Sequence, residues 1–141
     1  MTFQSVGEIR LYVKGLLEYY EKRYDVYSQK VGALMRLYEK RERGKEFKRG
    51  RVSGWKQVGM LMVNSEDALL GTLEIMLDAM EEYKVKMLRT HEVMLGFDAL
   101  NELSIPDGVP LTLFLRNGVP LRVLVDAEKE ASKIEALAAP L

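Results

Sequence analysis

The side chains best suited to chemistry are few and scattered. His91 is the single histidine, so no pair of imidazoles can hold a metal and no histidine cluster can shuttle protons. Glu92 follows it, but a metalloprotease helix needs a second histidine four residues on, and Leu95 stands there. A di-iron bundle needs Glu-x-x-His units, and the residue three before His91 is Leu88. His91 therefore reads as a surface or boundary residue. Glu74, Asp78, Glu81 and Glu82 share or adjoin one helix face and could hold a divalent cation, yet in a chain with 30% charged residues such spacing arises freely. Neither a phosphate-cradling glycine loop nor a Gly-x-Ser-x-Gly elbow occurs. The chain has no cysteine, which removes thiolate metal sites, disulfides and a cysteine nucleophile together and suits a reducing compartment. No catalytic residue, metal ligand or cofactor is assigned.

Charge offers more. From Arg36 to Lys56 nine basic residues stand against Glu39, Glu42 and Glu46, a net charge of +6. Arg41, Arg43, Lys45, Lys48, Arg49 and Arg51 form a candidate polyanion-binding segment, with Phe47 and Trp55 available to stack on bases. From Asn64 to Glu82 six carboxylates occur without a base, a net charge of −6. The competing reading lays the two stretches side by side, basic at the end of one helix and acidic at the start of the next, where the helix dipole favours each sign. The formal charge of zero argues against a surface given over wholly to nucleic acid or anionic lipid.

Apolar and amphipathic residues supply the third signal. Six of the seven tyrosines fall in the first 40 residues, and Tyr12 and Tyr19 lie off the main apolar stripe. A tyrosine ring buries well while its hydroxyl stays wet, so Tyr12, Tyr19, Tyr20 and Tyr27 are candidate interface residues. The methionines mostly follow the stripe of the second helix and read as adaptable core.

Helices must position these groups. Ile9, Val13, Leu16, Tyr20, Tyr24, Tyr27, Val31, Leu34 and Tyr38 recur at steps of three and four, which predicts a helix over 1–43. A helix of about 40 residues is about 60 Å long and must lie along a partner of similar length. Gly15 and Gly32, beside the stripe, suggest close helix approach. Residues 44–54 read as a basic turn. Trp55, Val58 and Met62 resume helical spacing, continued by Leu69, Leu73, Met76, Met80, Tyr83, Met87 and Met94, so a second helix is expected over 55–103, stopping before Pro106. Asn64 and Asp67 resemble a capping arrangement and predict a kink or fresh start near Ser65.

The period then changes. Gly108-Val109-Pro110-Leu111 is echoed ten residues later by Gly118-Val119-Pro120-Leu121, with Asn117-Gly118 between the runs. That pair favours a two-residue type I′ turn, so 109–125 is a β-hairpin. Continuous pairing outward from Arg116 and Val119 places Leu115 opposite Pro120 and ends the ladder with Pro110 opposite Val125. One face then carries Leu111, Leu113, Leu115 and Leu124, and the other Phe114, Val119, Leu121 and Val123. One face packs on the helices; the other needs the C-terminal segment, a second subunit or a ligand. Phe114, Leu121 and Val123 join the candidate interface. Residues 127–139, with Asp126 as cap, read as a short helix.

The fold class expected is α+β, mostly α: a long antiparallel helical hairpin followed by a β-hairpin and a short C-terminal helix, in one domain that assembles into a helical bundle. The first residues show no signal-peptide pattern and no window reaches the roughly 20 apolar residues that span a bilayer, so a cytoplasmic protein without membrane contact is expected. Scarce Asn and Gln beside abundant Lys, Arg and Glu matches proteins from hot environments. The leading functional expectation is a non-enzymatic homo-oligomeric scaffold or adaptor, with a dimer favoured. A nucleic-acid-binding protein using 36–56 and a helical-bundle enzyme or small-ligand carrier are the alternatives.

Overall fold

The computed structural model describes residues 1–43, 54–100, 103–126 and 136–137. A two-residue strand β1 (Thr2–Phe3) leads into helix α1 (Val6–Arg41). Strands β2 (Trp55–Val58) and β3 (Leu61–Asn64) precede helix α2 (Ala68–Leu100), and strands β4 (Leu111–Arg116) and β5 (Val119–Val125) follow it. The architecture is α+β and mostly helical. The helix expected over 127–139 lies outside the described residues, save Ala136 and Leu137. The described chain divides into two compact units, Met1–Tyr20 with Val85–Leu141, and Glu21–Lys84.

Both helices start where polar side chains satisfy the free N–H groups of the first turn. At α1, Ser5 Oγ accepts the Glu8 N–H at 3.2 Å while Glu8 Oε2 accepts the Gln4 N–H at 2.8 Å. At α2, Asp67 Oδ1 accepts the Leu70 N–H at 3.1 Å, and Asn64 Oδ1 accepts the N–H groups of Glu66 and Asp67. The fresh start predicted near Ser65 is thus a cap at Asp67. The predicted stripe of α1 faces inward: Ile9, Val13, Tyr20 and Val31 are buried and the other members half-buried.

In the terminal unit the helix segments run antiparallel, and Ile9, Val13, Phe97, Leu111 and Leu113 form one buried cluster with Phe3, Tyr12 and Val123 packed against it. The sheet order is β1-β4-β5, all antiparallel. β1 was not expected; two residues carry no periodicity to read. The turn between β4 and β5 has φ of 52° at Asn117 and 77° at Gly118, the type I′ geometry predicted, and Leu115 does face Pro120. Beyond that point the register differs. Phe114 pairs with Arg122 rather than Leu121, and Leu111 with Val125, because a bulge at Leu121 adds one residue to β5. Pro120 supplies the reason: it has no N–H to donate, and bulges are where sheets tolerate proline. The ladder accordingly closes with Asp126 N–H donating to Pro110 O at 2.9 Å.

In the central unit Val31, Leu73 and Leu77 make a second buried cluster, flanked by Leu34, Met35, Met76 and Met80. Tyr27 stacks on Tyr83 with ring centroids 5.6 Å apart, so the helix segments are again antiparallel. Residues 55–64 are a hairpin and not the first turns of a helix, which corrects the 55–103 expectation. Gly59 has a φ of 61° while Met60 does not share the left-handed region, the pattern of a type II′ turn. The spacing of Trp55, Val58 and Met62 suits either structure. In the observed register Trp55 and Met62 share one face and Val58 takes the other.

The glycine expectation is also corrected. A side chain at Gly15 would meet nothing within 4 Å, and one at Gly32 would meet Arg36. The close approach is at Gly71, where a Cβ would lie 3.2 Å from Asn64 Nδ2 and 3.4 Å from the Trp55 ring, so hairpin β2–β3 rests on the first turn of α2.

Candidate functional site

The bulge decides what hairpin β4–β5 shows to its surroundings. With Leu121 unpaired, Val123 turns inward beside Leu113, while Arg122 and Leu124 turn outward beside Phe114 and Thr112. Phe114 is 45% exposed, Leu121 56% and Leu124 52%, a concentration of large apolar surface that a globular domain ordinarily covers. Around them a shallow hollow of about 430 Å³ is lined by Phe114, Leu115, Arg116, Leu121, Arg122 and Leu124. A second, of about 540 Å³, lies between Arg89, Glu92 and Val93 of α2 and the turn end of the hairpin. Among the described residues Arg89, Arg116 and Arg122 have no ion-pair partner. The hairpin is held from beneath by Tyr20, buried in α1, whose hydroxyl donates to Gly118 O.

The central unit repeats the arrangement with other residues. Strand pairing puts Lys56, Val58, Leu61 and Val63 on the outer face of β2–β3, and Met60 forms the tip. Met60 is 99% exposed, Leu61 69% and Val58 61%. The inner face is fixed by the Trp55 indole N–H, which donates to the Glu74 carboxylate. A two-stranded hairpin is marginal by itself, so these contacts with α2 hold it.

The predicted interface set divides. Tyr12 packs on Phe3 with centroids 5.6 Å apart, Tyr20 is buried, and Tyr27 stacks on Tyr83 beneath the Arg23 guanidinium, 5.2 Å from its ring. These three are engaged inside the chain. Tyr19 remains on the surface at 52% exposure, as do Phe114 and Leu121, whereas Val123 packs on the core. On the two hairpins, the exposed residues outside the predicted interface include Leu115, Leu124, Val125 and the row from Val58 to Val63. The signals that mark them are Pro120, which invites a bulge, and Gly59, which invites a turn.

The predicted polyanion set divides as well. Lys45, Lys48, Arg49 and Arg51 lie outside the described residues. Arg43 is exposed just past the end of α1, with a φ of 54°. Arg41 is already engaged: its two terminal nitrogens donate to the two Asp67 oxygens, both at 2.9 Å, and its Nε donates to Glu42. That hydrogen-bonded Arg41 holds the Asp67 carboxyl below its usual range, helped by the Leu70 N–H. At this point the basic and acidic stretches do lie side by side. Among the described residues no cluster of three or more His, Asp or Glu could hold a metal ion, and no helix is long and apolar enough to cross a membrane. Comparison of the chain with protein-family models, with curated proteins and with solved structures finds no match.

Proposed function

We propose that this protein is a non-enzymatic scaffold or adaptor that self-associates and binds other protein chains in the cytoplasm. The observation that carries the reading is the outer surface of its two hairpins, where Val58, Met60, Leu61, Phe114, Leu121 and Leu124 are all more than 40% exposed. Apolar side chains gathered on ordered strands are the usual core of a protein contact, and the arginines beside Phe114 and Leu124 form the polar rim such contacts have. The helices support the same reading. Leu88 and Leu95, seven residues apart and so on one side of α2, are 50% and 67% exposed, as a bundle contact would require.

The test is the native mass of the full chain by sedimentation across a concentration series, with and without Leu61→Ser and Leu124→Ser. An oligomer weakened by either substitution supports the proposal. A monomer at every concentration, with the same sedimentation in both variants, overturns its self-associating part.

A further inference from the structure

We propose that the edge of β5 left unpaired among the described residues pairs with β5 of a second copy, joining two three-stranded sheets into one six-stranded sheet across a twofold axis. The inference rests on the self-association proposed above and names its surface. β5 is an edge strand in the order β1-β4-β5. Asp126 donates to Pro110 on the β4 side, and pairing alternates inward from there, so Leu124 and Arg122 also address β4. The N–H and C=O groups of Val123 and Val125 consequently point away from the sheet. Such an edge is a template for another strand.

The side chains choose the partner and the register. Antiparallel pairing about a twofold axis must match outward-pointing residues with each other, which leaves few alignments. Centring the axis on Leu124 sets Val123 against Val125 of the second copy twice over, giving four backbone hydrogen bonds. The same alignment sets Arg122 opposite the partner's Asp126, and Asp126 opposite the partner's Arg122. Each supplies what the other lacks: Arg122 is exposed with no ion-pair partner among the described residues, and Asp126 Oδ2 is buried without a hydrogen-bond donor, so the Asp126 side chain must turn outward to take one from the partner. An axis centred on Val123 would put Asp126 against Pro120, and one centred on Val125 would put it against Leu124. Among the described residues, neither alignment sets opposite charges against each other.

The groove flanking the edge fits the same strand. A hollow of about 260 Å³ lies between Val93, Phe97 and Leu100 of α2 and the β5 residues Pro120 to Val123. Inward-facing valines of an added strand would enter it, while Leu124 would meet its own copy on the outer face, where it is 52% exposed.

Charge reversal tests the register. Arg122→Asp and Asp126→Arg should each raise the dimer dissociation constant by roughly tenfold or more, because both symmetry-related pairs turn from attraction to repulsion. The double variant Arg122→Asp/Asp126→Arg should restore association to within about threefold of the starting protein. Val123→Pro should abolish pairing without removing a hydrogen bond to β4, since the lost N–H points outward. Hydrogen exchange gives an independent reading: the Val123 and Val125 amides should gain protection as concentration rises. Protection that is full and independent of concentration would mean that the chain covers its own edge, and would overturn the proposal. So would a dimer indifferent to all four variants, although the self-association reading would then survive with its contact elsewhere. A chain that is monomeric throughout removes both.

Discussion

Substituting Gly118 by alanine probes how the hairpin is held. Two costs arise there and they can be separated. The backbone sits at a φ of 77°, where a Cβ costs about 1 kcal/mol. The added Cβ would also lie 2.5 Å from Tyr20 Oη, closer than real contacts allow. Tyr20 is 5% exposed with its ring packed in the unit, so the hydroxyl must leave Gly118 O and its hydrogen bond is lost. That loss adds about 1 kcal/mol, and Gly118→Ala should cost about 2 kcal/mol in all. Gly59→Ala is a comparison for backbone strain alone: its φ of 61° is also positive, and nothing lies within 4 Å of an added Cβ, so no hydrogen bond is displaced there. Tyr20→Phe removes the hydroxyl and should itself cost about 1 kcal/mol. In the Tyr20→Phe background Gly118→Ala should then cost only its backbone strain, a coupling of about 1 kcal/mol. Urea unfolding followed by circular dichroism measures the starting protein and all four variants. Equal costs for Gly118→Ala in both backgrounds would refute the contact between Tyr20 and the hairpin turn.

Two further predictions concern the central unit. Because Asp67 has its carboxyl held low chiefly by Arg41, its charged form is the one the fold stabilises, so that stabilisation is present at neutral pH and lost as pH falls below about 4. Asp67→Asn keeps the cap but not the charge, so its stability should differ from the starting protein at pH 7 and converge with it in acid; Asp67→Ala should lose a further amount of about 1 kcal/mol with the cap. Trp55→Phe removes the indole donor to Glu74 and should cost about 1 to 2 kcal/mol, with the amides of β2 and β3 exchanging faster while those of α1 near Ile9 do not change; uniform acceleration throughout the chain would argue against this local anchoring.

The helices were legible in the sequence because burial along them is periodic. From Ile9 to Tyr38 each member of the predicted stripe is buried or half-buried. The turn at Asn117 and Gly118 was equally legible, since both residues adopt the left-handed conformation their types favour. What was not legible is local competition between two readings of one spacing. Trp55, Val58 and Met62 satisfy a helix or a hairpin, and only Gly59 in the left-handed region separates them. The faces of β4–β5 were misassigned from Arg122 onward because a single inserted residue reverses a period of two, and hydrophobicity carries no record of it. The tyrosines marked amphipathic positions correctly, but a sequence does not say whether the wet end of a tyrosine meets water, a partner or its own backbone. Tyr20 meets Gly118.

The two hairpins share a logic that bears on how binding and folding divide the chain's apolar surface. Each rests on its helices through an inner face closed by the polar tip of an aromatic residue, the Tyr20 hydroxyl on Gly118 O in one and the Trp55 indole on Glu74 in the other. A donor of that kind fixes orientation, because a displaced hairpin would leave a polar group without its partner, at a cost above that of lost packing alone. The outer rows, Val58 with Leu61 and Phe114 with Leu124, take little part in either cluster of buried side chains. Replacing an outer leucine by serine should therefore leave the unfolding midpoint almost unchanged, whereas Leu113→Ala, which empties a buried position, should cost about 2 to 5 kcal/mol. If the outer substitutions destabilised the isolated chain as much as Leu113→Ala does, those rows would belong to its folding core. They would then hold no apolar surface in reserve for another chain.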